Sequence, residues 1–134
     1  MINETTYAVS HCLKLRGISL KPAEFNRVAA AAGVIIKAFR ASGKDPAKVK
    51  SYWRLGGAAA GFAVEIENDR SPEPVVQYLD DRFDDLLEYL ASTIDAMVRE
   101  GEIKPVERDA EKGAQYRAAL EAQQRGQSGE VEQF

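Results

Sequence analysis

Residues 71–99 read SPEPVVQYLDDRFDDLLEYLASTIDAMVR, and the fold turns on how this stretch is read. Val75, Val76, Leu79, Phe83, Leu86, Leu87, Leu90, Ile94, Met97 and Val98 recur every three or four residues, the period of an amphipathic helix. Ser71 is a capping residue, Pro72 suits a first helical turn, and Gly101 suits a stop. The spacing predicts one helix over about 72–99. At 1.5 Å per residue it is roughly 40 Å long, more than a chain of 134 residues readily covers alone. Part of its apolar side is therefore expected to bury against a second copy, making the protein a homo-oligomer.

Outward from this rod, the flanking segments also read as helices. Pro22 opens one that carries Phe25, Val28, Ala29, Ala32, Ile35, Ile36 and Phe39 on one side before Ser42-Gly43 stops it, with Gly33 marking either an interior cost or a turn. Asp45-Pro46 opens a short one with Val49, Tyr52 and Trp53 as its stripe, ending at Gly56-Gly57. The alanines of 58–68 favour helix over the competing alternation of Phe62, Val64 and Ile66. Asn3 caps a first helix over about 4–15, and a weaker one runs from about 107 to 124. The expected fold is mainly α: a single compact helical domain of five or six helices over 1–125 built around the long helix. One short strand near 61–67 or 12–18 is the alternative for those segments, and 126–134 reads as a mobile polar tail.

Charge divides the chain. Residues 1–66 hold ten Lys/Arg against four Asp/Glu, a balance of +6, whereas 67–134 hold eight against seventeen, a balance of −9. A sustained field of one sign acts over roughly a Debye length, about 8–10 Å at physiological salt, and favours binding to polyions over chemistry. The densest basic group is Lys37, Arg40, Lys44, Lys48, Lys50 and Arg54, with Tyr52 and Trp53 among them. Cations attract phosphates by counterion release and aromatic faces stack on bases, so these eight residues are the candidate nucleic-acid contacts. The competing reading is a solvated basic edge whose aromatics lie in the core. Asp80, Asp81, Asp84, Asp85 and Glu88 form the acidic counterpart on the rod and are the candidate contacts for a protein partner, although water alone can solvate such a run. Helix-turn-helix around Gly33 and ribbon-helix-helix from Cys12 are only faintly echoed: Val34-Ile35-Ile36 is an apolar start for a recognition helix, and Gly17 and Pro22 leave little strand.

Chemistry finds little purchase. His11 and Cys12 are neighbours in sequence, so on a helix or a strand they diverge, and no catalytic pair is assigned. One His and one Cys do not make a transition-metal site, the acidic run lacks a calcium-loop pattern, and Gly56 to Gly61 lacks the Lys-Ser/Thr of a phosphate loop; no metal and no cofactor are expected. No run approaches the roughly 20 apolar residues of a membrane span, the start has no secretory pattern, and one cysteine suits a reducing cytoplasm. The terminal Glu130-Val131-Glu132-Gln133-Phe134 reads as a frayed tail, with carboxyl-terminal docking as its minor alternative. The composite expectation is a non-enzymatic nucleic-acid-associated accessory protein, and its alternative is a small helical adaptor or inhibitor that binds a protein partner.

Overall fold

The computed structural model describes residues 5–129. The fold is mixed α and β. In chain order come β1 (Thr6–Tyr7), α1 (Val9–Lys14), α2 (Pro22–Ala31), β2 (Ile35–Ala41), β3 (Val49–Leu55), β4 (Ala63–Ile66), β5 (Val75–Leu79), α3 (Phe83–Arg99) and α4 (Ala110–Gly129). Short 3-10 turns precede β4 at Gly57–Ala59 and α3 at Asp80–Arg82. One antiparallel sheet has the order β1-β5-β4, and β2 with β3 forms a separate antiparallel hairpin.

This overturns the mainly α helical bundle, and each correction has a local cause. The rod expected over 72–99 is β5, a 3-10 turn and then α3. Pro74 disfavours helical dihedrals at Glu73, and Val75-Val76-Gln77-Tyr78 gains more from pairing with Ala63–Ile66 than from a first helical turn. The remaining helix of 17 residues is about 25 Å long. Phe83, Leu86, Leu90 and Met97 are already buried within the chain, so the surplus length that argued for a second copy does not exist. The helix expected from Pro22 to Ser42 stops at Ala31; Gly33, at φ +81°, turns the chain and Ile35 begins a strand. That removes any recognition helix after Gly33. The helix expected after Pro46 is β3, and the alanine-rich 58–68 holds a 3-10 turn and β4. Residues 12–18 are the end of α1 and a turn, with Ile18 alone bridging to Arg108. α4 runs to Gly129, which takes in the first four residues of the tail expected over 126–134; residues 130–134 lie outside the described residues.

The core sits between the three-stranded sheet and helices α2 and α3. Phe25 on α2, Tyr78 on β5 and Phe83 at the start of α3 meet with ring centres 5.5–5.8 Å apart, two pairs edge-on and one stacked. Cys12, Leu13, Val28, Ile35, Leu86 and Leu90 complete it. α2 begins well because Glu24 accepts the Lys21 amide proton at 3.0 Å, and Gly101, at φ +75°, ends α3. α4 lies across the 14–18 turn where Gly113 meets Gly17, a contact with no room for a Cβ on either side. Among the described residues no helix is long and apolar enough to cross a membrane.

Candidate functional site: the β2–β3 hairpin

The eight residues proposed from sequence as phosphate contacts all fall on one element, the β2–β3 hairpin and its connection. Side chains on a strand alternate between faces, and opposite residues share a face. The register pairs Ile35 with Leu55, Lys37 with Trp53, Phe39 with Ser51 and Ala41 with Val49, so these side chains lie together. Ile35 is fully buried and Trp53 and Leu55 pack on the core, so this face is inward at the base of the hairpin. Phe39 and Val49 continue it past the core and are 65% and 68% exposed. Lys37 Nζ sits 5.2 Å from the centre of the Trp53 ring directly opposite. Ile36, Ala38, Arg40, Lys50, Tyr52 and Arg54 occupy the other face, and Lys44 and Lys48 sit in the connection.

The cations are thus gathered on one element but divided between two faces and a tip. Two of them are paired within the molecule. Arg40 Nε donates to Glu73 Oε2 at 2.7 Å, and Arg54 grips Glu65 through Nε and Nη2 at 3.1 and 2.9 Å. Hydrogen bonds from Arg54, then from the Leu55 amide, hold the Glu65 carboxyl below its ordinary range. Lys37, Lys44, Lys48 and Lys50 form no ion pair among the described residues, and Asp45 is the single acid between residues 35 and 55.

The backbone is as informative. Opposite residues in an antiparallel pair alternate between those that exchange both hydrogen bonds and those whose amides point away from each other. Ser42 donates to the Lys48 carbonyl at 2.9 Å and Gly56 to the Val34 carbonyl at 2.8 Å. Counting inward from both ends, 36/54, 38/52 and 40/50 are the bonded pairs, and the amides of Lys37, Phe39 and Ala41 on β2, and of Val49, Ser51, Trp53 and Leu55 on β3, point outward. On the β3 side Leu55 donates to Glu65 Oε2 at 2.9 Å, while Ser51 and Trp53 share a cleft with Pro74 and Val75. On the β2 side the Ala41 carbonyl accepts from Arg40, but the N–H and C=O of Lys37 and Phe39 have no partner among the described residues.

The acidic residues proposed for a partner are placed differently. Asp80 precedes α3 and is only 13% exposed; it accepts from Arg16 Nη1 at 3.0 Å and from Arg117 Nη1 at 3.0 Å. Burial raises its carboxyl, yet hydrogen bonds from Arg117 and Arg16 and their charges outweigh this and hold it below the usual range. Asp84 meets Arg16 and Arg108, and Asp85 meets Arg82. Asp81 and Glu88 form no ion pair among the described residues. Two of the five candidates are thus committed to holding α1, α3 and α4 together, through Arg16, whose buried position no charge pattern revealed.

Other features offer less chemistry. An open groove of about 880 Å³ lies between the 14–19 turn and the start of α4, lined by Lys14, Ser19, Arg108, Lys112 and Tyr116 with Glu107 and Asp109 among them. It mixes both signs, and Asp109 caps the helix by accepting from the Lys112 amide. No group of three or more potential metal ligands occurs among the described residues. His11 Nδ1 lies 2.8 Å from the Tyr116 hydroxyl, facing away from Cys12. Cys12 is fully buried and its thiol is pushed up to about 12, chiefly by burial, against the lowering charge of Arg16. In the folded protein at about pH 8 it should therefore resist iodoacetamide and label only on unfolding in urea; labelling at the rate of a free thiol would show the core to be open there.

Sequence reasoning missed Ile36, Phe39 and Val49 as exposed groups and Glu65 and Glu73 as partners. Turn residues Ser42 to Pro46 between two runs rich in β-branched and aromatic residues were the available sign of a hairpin. Comparison of the chain with protein-family models, with curated proteins and with solved structures gives no match.

Proposed function

We propose that this is a non-enzymatic binding protein that acts by occupancy, with the β2–β3 hairpin as its contact element and a protein as its partner. The observation that carries the reading is the apolar tip face: Phe39 and Val49 are the most exposed large apolar side chains described, Ile36 on the opposite face is 51% exposed, and all three sit on one projecting element. A phosphate backbone offers nothing to such side chains, whereas protein interfaces are centred on them. The unpaired lysines around them add attraction for an acidic partner and speed encounter. Support for occupancy over catalysis comes from Cys12 and His11, the two groups best suited to nucleophilic chemistry, one sealed in the core and the other engaged by Tyr116.

The test compares proteins retained from cell extract by the immobilised wild type and by a double variant, Phe39→Ser with Val49→Ser, with and without nuclease. Expected is loss of specific retention in the variant by at least about tenfold, unchanged by nuclease. Equal retention by both proteins removes the hairpin from consideration. Retention abolished by nuclease, together with duplex binding that falls steeply between about 50 and 200 mM salt, transfers the hairpin to nucleic acid.

A further inference from the structure

We infer that the hairpin binds its partner by strand addition: an extended, acidic segment of another protein pairs along the open edge of β2 at Lys37 and Phe39. This rests on the hairpin being the contact element and specifies how it makes contact. The edge offers the N–H and C=O of Lys37 and of Phe39, all pointing outward and all without a partner among the described residues. An added strand satisfies them in the way a peptide docks on a sheet edge, with backbone hydrogen bonds for affinity and alternate side chains for selection. Its inward side chains meet Phe39 and the Lys37–Trp53 pair, and its outward side chains meet Ile36.

Charge decides which segment. Lysines on an edge repel basic strands and resist desolvation against neutral ones, and so protect against indiscriminate pairing; here Lys37, Lys44, Lys48 and Lys50 are unneutralised. A second copy of the chain is disfavoured because antiparallel self-pairing centred on Ala38 would set Lys37 of each copy diagonally across from the other's on the same face. A segment in which acidic and apolar residues alternate has one kind on each face: its apolar side chains lie along Phe39 and the Trp53 ring, and its carboxylates lie on the opposite face, the one that carries Arg40 and Lys50. The other hairpin edge is less open: Glu65 occupies the Leu55 N–H, and the outward amides of Ser51 and Trp53 face a cleft shared with Pro74 and Val75 instead of open solvent.

The alternation of amides supplies a sharp test. The Phe39 N–H is outside the hairpin ladder, so Phe39→Pro removes one edge donor without removing a β2–β3 hydrogen bond, while Phe39→Ala removes the same ring and keeps the donor. The probe is a fluorescein-labelled peptide of about eight alternating Glu and Val residues, with an alternating Lys and Val peptide as control, titrated against the full chain by anisotropy. Expected is binding of the acidic peptide only, weakened at least about tenfold more by Phe39→Pro than by Phe39→Ala. Slowed hydrogen exchange at the Lys37 and Phe39 amides of the wild type on peptide addition is expected as well, and this second measurement stands if the proline variant fails to fold. Strand addition is overturned by equal binding of the two variants with the hairpin intact, by unchanged exchange at both amides, by no binding of the acidic peptide, or by equal binding of the basic peptide. If binding is lost with Phe39→Ser and Val49→Ser but exchange at the edge does not change, the hairpin remains the contact element and only the mode of pairing falls.

Discussion

Replacing Asp80 with alanine lowers the folding free energy by about 3 kcal/mol or more, because it strands a buried guanidinium. Arg16 has a side chain only 6% exposed, donates to the Cys12 and Asp80 carbonyls as well as to the Asp80 and Asp84 carboxylates, and lies 4.9 Å from the centre of the Phe83 ring. Loss of the Asp80 carboxylate leaves it with one, the largely exposed Asp84, and frees Arg117 from the turn that leads into α3. Asp84→Ala is the control. That carboxylate is 59% exposed, and pairs in such positions contribute about 0–1 kcal/mol. Urea denaturation of both variants decides the matter: equal midpoints would mean that burial of Arg16 carries no energetic weight. The same pair predicts a pH dependence. Because the Asp80 carboxyl is held below its unfolded value of about 3.9, its stabilisation is complete above that value and disappears as pH falls through the lower, folded one. Asp80→Asn should therefore flatten the acid limb of stability measured between about pH 6 and pH 2.

Gly113→Ala also destabilises the protein, although alanine is the better helix former by about 1 kcal/mol. A Cβ at Gly113 would lie 2.6 Å from the Arg16 carbonyl carbon and 2.7 Å from the Gly17 nitrogen, both backbone atoms that cannot swing aside. Overpacking of this kind costs about 1–3 kcal/mol, and here relief requires α4 to lift off the 14–18 turn. Gly17→Ala should be worse, since its new methyl meets the Asp109 carbonyl and its φ of +64° strains any residue with a Cβ. Limited proteolysis reports the displacement: cleavage between α3 and α4 should accelerate in both variants, and a Gly113→Ala protein more stable than the wild type would show that α4 is not seated on Gly17.

What could be read from the chain was the second half of the rod and little of what precedes it. Phe83, Leu86, Leu90 and Met97 specify α3 by spacing alone, because one face of a long helix is buried evenly along its length. Val75 and Val76 match the same spacing by coincidence, and Pro74 was the residue that should have broken it. The hairpin was hidden for a related reason. Ile35, Ile36 and Phe39 satisfy a helical period as well as a strand with one face half exposed, and a short apolar run leaves the two indistinguishable until a pairing partner is known. Of the site, the sequence located the cations on one contiguous segment, but their division between faces depends on the period being two instead of 3.6. Arg16 and Asp80, 64 residues apart, could be joined only by the fold.

The unequal treatment of the hairpin's two sides bears on stoichiometry. Fibrous growth of a sheet needs a molecule that can receive a neighbour at one side and offer a fresh ladder at the other. With Glu65 engaging the Leu55 amide and the Ser51 and Trp53 side turned to the cleft beside Pro74, this chain is poorly suited to relay such an array. If strand addition holds, each hairpin should receive its guest on the β2 side alone, one direct guest strand per chain.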